Sequence, residues 1–121
     1  MVVVNSALLV GAGGVAGALV RHLLGERIDE RTADTLAVNV VGSFLLGAIV
    51  AAPPDLVAAD LRLFLGTGFC GAFTTFSTFA FETVRLAETD EVERAVATGF
   101  ANLVGAVAAV LLGGWLVATL A

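Results

Sequence analysis

Charged residues divide the chain into four long apolar stretches. No Asp, Glu, Lys or Arg occurs in residues 1–20, 35–54, 63–81 or 95–121, and these stretches are 19 to 27 residues long. A helix of about 20 apolar residues spans the hydrocarbon core of a bilayer. The pattern therefore predicts four transmembrane helices in a single domain over residues 1–121, at about residues 3–24, 33–51, 61–82 and 95–120.

The composition supports an all-α membrane protein rather than a soluble bundle. Hydrophobic residues make up 59% of the chain and charged residues 14%, whereas a soluble domain has about 25% charged residues. A soluble bundle would need polar outer faces on its helices, and the four stretches have none. The first stretch also lacks the basic beginning of a cleaved signal peptide. We therefore expect a multi-pass protein of the cell membrane.

The charges that remain exclude several other classes. The net charge is −5, with six Arg and no Lys, and no basic patch indicates nucleic-acid binding. The single Cys70 cannot form a disulfide within the chain. No nucleophile–base pair and no metal-ligand cluster is visible in the sequence, so an enzyme is not expected.

The arginines also predict an orientation. Four helices place both termini on one side, where Arg62 is the one basic residue. Arg21, Arg27, Arg31, Arg85 and Arg94 fall on the opposite side. By the positive-inside rule both termini face outward.

Helix 1 carries Gly13 and Gly17 four residues apart. Small residues at this spacing let helices approach closely in lipid. Four helices alone enclose little space, so we expect an oligomer, most simply a two-fold dimer.

Three polar side chains in or near the apolar stretches need a reason, because polar groups are costly in hydrocarbon. Asn39, with Ser43 on the same face of helix 2, is suited either to interhelical hydrogen bonds or to an aqueous pathway. Arg21 is suited either to reaching the headgroups or to attracting anions into a vestibule. Glu82 is interpreted as an interfacial residue or as one end of a pore.

The segment GTGFCGAFTTFSTF, residues 66–79, combines glycines, hydroxyls and aromatic rings without any charge. Gly66, Gly68 and Gly71 each weaken a helix by about 1 kcal/mol relative to Ala. With Thr74 and Thr75 they favour either a break in helix 3 or an unbroken helix with a small-residue face. Carbonyls freed by a break are suited to Na⁺.

Phe73, Phe76 and Phe79 then recur every third residue. In a continuous helix they share a broad face, which fits either aromatic core packing or an anion path, because the edge of an aromatic ring is electropositive. Ser77 and Thr78 add hydroxyl donors to the second interpretation.

The strings GFCGAFTTFSTFAFE, GGVAGALVRHLL and NVVGSFLLG resemble the signature of the small fluoride channels called Fluc or CrcB, over essentially the whole chain. The resemblance implies an antiparallel, dual-topology homodimer with two pores that passes fluoride out of the cell passively and holds a structural Na⁺ at its centre. It assigns the Na⁺ carbonyls to Gly71 and Thr74, and the pore to Phe76, Phe79, Asn39, Ser77 and Thr78. It places Arg21 in the vestibule and Glu82 at a pore end.

Two features depart from the family pattern. Ala72 stands where the family often has a second glycine. The five-to-one arginine imbalance also conflicts with dual topology, which requires little bias. A heterodimer with an oppositely oriented paralogue is therefore an alternative to the homodimer.

Two other membrane functions fit four short helices. A proton-coupled multidrug exporter needs a carboxylate deep in the membrane, and helix 1 has none. A structural membrane subunit would leave Asn39, Ser77, Thr78 and the phenylalanines without a role. Passive flow fits the absence of a phosphate-binding loop of the G-x-x-x-x-G-K-[ST] type.

Overall fold

The computed structural model describes residues 2–121, with side chains from residue 5 onward, so Met1 lies outside it. Helix α1 covers Val2–Arg27, α2 covers Arg31–Ala51 and α5 covers Val92–Leu120. The third long helix, Ala59–Glu88, is divided into α3 at residues 59–73 and α4 at Ser77–Glu88. All four long helices are apolar enough to cross a membrane, and the described residues contain no strand. The predictions of four transmembrane helices and of a break in the third are confirmed.

The helices extend beyond the predicted spans. Helix α1 continues to Arg27, α4 continues to Glu88, and α5 begins at Val92. The sequence-based prediction ended the helices close to the first charged residues, but in the structure the charged residues that follow the apolar stretches are helical too. Only residues 28–30 are left to connect α1 to α2.

Helix α3 leaves regular α-helical geometry before it breaks. It is α-helical at Ala59–Arg62, winds as a π-helix over Leu63–Cys70, and is α-helical again at Gly71–Phe73. Thr74 then takes an extended conformation (φ −82°, ψ 164°). The break therefore lies at residues 74–76. Gly66, Gly68 and Gly71, which on their own weaken a helix, nevertheless remain helical, and the chain leaves the helix only after them.

Glycines bring the helices into backbone contact in two pairs. A Cβ added to Gly13 or Gly17 of α1 would collide with the carbonyl oxygens of Phe64 and Phe69 on α3. Helix α2 meets α5 in the same way, since Gly47 lies against the Val110 carbonyl. Close packing of small residues replaces the hydrophobic effect as the force between helices in lipid. The predicted close contact of Gly13 and Gly17 is thus confirmed.

Arg62 joins the beginning of α3 to the end of α2. Its guanidinium donates hydrogen bonds to the carbonyl of Ile49 at 2.6 Å and to the carbonyl of Ala52. The last carbonyls of a helix lack intrahelical donors and carry partial negative charge. Arg62 therefore satisfies the end of α2, a role that the sequence analysis did not assign to it.

Candidate functional site

The break in the third helix is held by one side chain from α2. Asn39 Oδ1 accepts a hydrogen bond from Thr75 N–H at 2.8 Å, and Asn39 Nδ2 donates to the Thr75 carbonyl at 3.1 Å. Non-helical backbone is tolerated at membrane depth only where protein or a cavity satisfies its polar groups. Asn39 supplies both partners that Thr75 would have had in a continuous helix.

Asn39 is also bonded to the last helix. Its Nδ2 donates to Asn102 Oδ1 at 2.9 Å, and Asn102 Nδ2 donates to the Thr98 carbonyl at 3.0 Å. Both amide hydrogens of Asn39 are therefore engaged within the chain. Of the two interpretations of Asn39, the structure shows the interhelical hydrogen bonds directly. Asn102 was not among the predicted site residues, although Asn39-x-x-Gly42 and Asn102-x-x-Gly105 repeat one pattern.

The carbonyls of Gly71 and Thr74 are among those that lose their helical amide donor at the break. In a continuous α-helix these carbonyls would accept from the N–H groups of Thr75 and Thr78. Instead, Thr75 N–H donates to Asn39, and Thr78 N–H donates to Thr75 Oγ1 at 3.1 Å. Gly71 is exposed, with open space beside its Cα.

A groove of about 740 Å³ is lined by α2, the third helix and α5. It brings together five of the predicted site residues, namely Asn39, Gly71, Thr74, Phe76 and Phe79. Ser43 and Asn102 line it too. The break thus opens onto a surface of the chain.

The phenylalanines of the signature separate into two groups. Phe73 is 3% exposed and stacks on Phe69 with ring centroids 5.6 Å apart. Phe76 is 79% exposed and lies 5.9 Å from Phe79, with the ring planes tilted by 52°. The expectation that Phe73 shares a face with the other two was wrong, because the break interrupts the helical period between them.

The hydroxyls of α4 face different surroundings. Ser77 is exposed, while the Thr78 hydroxyl accepts a hydrogen bond from Arg21 Nη2 at 3.4 Å. Arg21 is half-buried and directed at α4, so its guanidinium meets the third helix. The structure therefore brings Arg21 together with Thr78.

Glu82 lies inside the bundle. It is 6% exposed, and its Oε1 accepts a hydrogen bond from the hydroxyl of Thr35, which is 1% exposed. Its other oxygen, Oε2, has no hydrogen-bond partner among the described residues. Glu82 lines a second cavity of about 350 Å³ together with Arg31 and Arg85. The two interpretations of Glu82, as an interfacial residue and as one end of a pore, remain predictions.

The donor set available to a cation consists of oxygens. Within residues 2–121 no three His, Cys, Asp or Glu side chains cluster in a way that could hold a metal. The backbone carbonyls freed at the break are hard ligands, which suit alkali and alkaline-earth ions better than transition metals. The chemistry at Gly71 and Thr74 is therefore compatible with Na⁺.

Comparison with known proteins agrees with this architecture. Residues 8–114 match the family model described as CrcB-like protein, Camphor Resistance (CrcB). A protein of Natronomonas pharaonis called fluoride-specific ion channel FluC 2 is 50% identical over 111 residues, covering 92% of this chain and 90% of its own. A protein of the same name from Moorella thermoacetica is 44% identical over 116 residues, covering 92% and 94%. With its four spans, its broken third helix and these matches over almost its full length, the chain belongs to the CrcB family of fluoride channels, which are membrane transport proteins and not enzymes.

Proposed function

We propose that this chain forms a channel that lets fluoride leave the cell passively. The observation that carries the proposal is the groove at the helix break, where Phe76 and Phe79 flank the freed backbone. Its relatives at 44% and 50% identity are named fluoride-specific ion channels, which supports the choice of anion.

The physical difficulty for such a channel is the strong hydration of fluoride. The path must replace water with several weak donors and must hold no cation. The electropositive edges of Phe76 and Phe79 meet both requirements. Ser77 and Thr78 follow on α4 with hydroxyl donors, and Arg21 beside Thr78 adds positive charge for attracting anions. Asn39 lines the same groove, with its amide committed to the break.

No pump is required in this mechanism. Moving one charge through 100 mV is worth about 2.3 kcal/mol. A membrane that is negative inside therefore drives fluoride outward through an open path.

We further propose that the carbonyls of Gly71 and Thr74 hold a structural Na⁺ that is not transported. Support comes from the loss of their helical amide donors to Asn39 and to Thr75 Oγ1. Unwound backbone carbonyls of broken membrane helices serve as Na⁺ ligands in transporters. The ion would neutralise the partial charge of these oxygens.

A second subunit, either another copy of this chain or an oppositely oriented paralogue, is proposed to cover the groove. Exposed irregular backbone does not face lipid in membrane proteins, yet the break opens outward and Phe76 is largely exposed. A two-fold or pseudo-two-fold axis near Gly71 would place the freed carbonyls of both subunits around one ion. An antiparallel arrangement would give two pores, one along each groove.

The orientation of the partner is tested by labelling. The arginine imbalance predicts that this chain, expressed alone, inserts with both termini outside, and that it pairs with an oppositely oriented paralogue. A cysteine added at either terminus, in a C70A background, should react fully with a membrane-impermeant maleimide. Half-maximal labelling from each side would instead establish the dual-topology homodimer.

The channel itself is tested by efflux from liposomes. Purified protein is reconstituted with internal potassium fluoride and sodium salt, and a fluoride electrode follows release after valinomycin is added. We expect rapid release that depends on both the protein and valinomycin, because charge must be balanced by K⁺. Protein-free liposomes are the control. If labelling shows a single orientation, the chain is reconstituted together with the oppositely oriented paralogue, and a folded, assembled protein that releases no fluoride would contradict the proposed function.

A further inference from the structure

Asn102 on α5 has a carboxamide whose orientation is fixed by its own helix. Its Nδ2 donates to the Thr98 carbonyl, one turn earlier, at 3.0 Å. A carbonyl can only accept, so the amide group of Asn102 must face Thr98 and its Oδ1 must face α2. The side chain is 6% exposed, so most of it is packed against neighbouring groups of the chain.

The orientation of the Asn102 carboxamide in turn fixes the orientation of the Asn39 carboxamide. Asn102 Oδ1 accepts from Asn39 Nδ2 at 2.9 Å, so Asn39 must present its amide group to α5. Its Oδ1 is then left to accept from Thr75 N–H at 2.8 Å. If the Asn39 carboxamide were reversed, two oxygens would face each other at Asn102 and two N–H donors would face each other at Thr75.

The hydrogen bonds from Asn102 through Asn39 to Thr75 form a relay, and this relay ends at the proposed cation site. While Asn39 holds Thr75 N–H, that amide cannot return to the Gly71 carbonyl, its partner in a continuous helix. We propose that Asn102 is a positioning residue that keeps the Gly71 carbonyl free by fixing the orientation of Asn39. The inference rests on the proposed function for its cation, while the hydrogen-bond relay stands on the contacts themselves.

The proposal makes α5 part of the cation site, although α5 supplies no ligand to the ion. Without the Asn102 carboxamide, Asn39 is no longer held in one orientation. Thr75 N–H then competes with the cation for the Gly71 oxygen. Loss of Asn102 should therefore weaken Na⁺ binding and loosen Thr75, with both effects acting through Asn39.

The test uses the full chain in detergent with Asn102→Leu, which removes the carboxamide and keeps its approximate volume. Thr119→Val is the matched control, because Thr119 is on the same helix and bonds only to the nearby carbonyl of Leu116. Na⁺ half-saturation is measured from the thermal stabilisation that Na⁺ produces, which needs no fluoride transport. Exchange of the Thr75 amide hydrogen is followed by NMR in the same samples.

We expect Asn102→Leu to raise the half-saturating Na⁺ concentration by about fivefold to tenfold, the factor corresponding to one lost hydrogen bond, and to speed exchange at Thr75 by a similar factor. Thr119→Val should change neither. In an Asn39→Ala background, Asn102→Leu should have no additional effect, because coupled residues are not additive.

An unchanged Thr75 exchange rate, or a Na⁺ effect that simply adds to that of Asn39→Ala, would overturn the positioning role. If Asn102→Leu does not fold, Asn102→Ala removes the same group without added branching and decides the question in the same way. Failure of the wild-type protein to release fluoride would reject the channel, while the Thr75 exchange would still decide the relay.

Discussion

Replacing Phe79 by isoleucine should lower fluoride efflux about tenfold while the protein stays folded and assembled. Phe79 lines the groove and lies 5.9 Å from Phe76 in centroid distance. Isoleucine fills similar apolar space but has no electropositive ring edge. Edge-to-face aromatic pairs are worth up to about 1.5 kcal/mol, and if the contact between fluoride and a ring edge is of similar strength, a loss of about 1.4 kcal/mol at the barrier slows passage tenfold. The measurement is initial fluoride release from liposomes at equal protein density.

Phe100→Ile is the matched control for this substitution. Phe100 is 64% exposed on α5 and is not part of the groove lining. Its replacement should leave efflux unchanged, and size-exclusion chromatography should show the same assembly for both variants. Wild-type efflux from Phe79→Ile would refute the role of the ring edge, since the apolar volume is nearly conserved.

Removal of Na⁺ during purification and reconstitution should abolish fluoride efflux almost completely. Two carbonyls per chain would then be buried without a partner, at a cost of about 2 kcal/mol or more. That cost corresponds to about 30-fold or more in the equilibrium between assembled and disassembled protein. Replacement of Na⁺ by N-methylglucamine, with efflux and oligomeric state both measured, tests this expectation.

Na⁺ restored after preparation is the control for irreversible damage. Recovery of efflux and of assembly together would attribute the loss to the ion. Full activity in protein that was never exposed to Na⁺ would refute the role of Gly71 and Thr74 as Na⁺ ligands. It would leave the anion path at Phe76 and Phe79 untouched, so the two proposals fail separately.

The sequence was sufficient for the number of helices, because charge marks the membrane boundaries directly. It also identified the contact face of α1, since Gly13 and Gly17 have no other evident use. The position of the break could not be predicted from local helix propensity. Propensity places weakness at Gly66 and Gly68, yet these glycines remain helical and Gly68 packs against the backbone of α1. The helix opens instead at Thr75, where Asn39 from another helix replaces its hydrogen bonds.

The residues of the site, too, were predicted only in part. Phe76 and Phe79 were assigned by resemblance, and the structure places both on the groove. Spacing alone grouped Phe73 with Phe76 and Phe79, because residues at every third position share a face only in a continuous helix, and this helix is broken after Phe73. Asn102 and Thr35 were missed, since a single polar residue in an apolar stretch does not reveal its partner. The repeated Asn-x-x-Gly pattern in α2 and α5 was the one signal that related Asn39 to Asn102.

The hydrogen bonds at the break also impose an order on biosynthesis. Asn39 is 36 residues before Thr75 and 63 before Asn102. Translation at about 5–20 residues per second separates the arrival of Thr75 from that of Asn102 by a few seconds. During this interval the residues of the break are already in the chain, but Asn102, which orients Asn39, has not yet been translated. We expect the nascent third helix to stay within the insertion machinery, or to remain continuous, until the last span arrives. Release of the chain into lipid would then depend on its final helix.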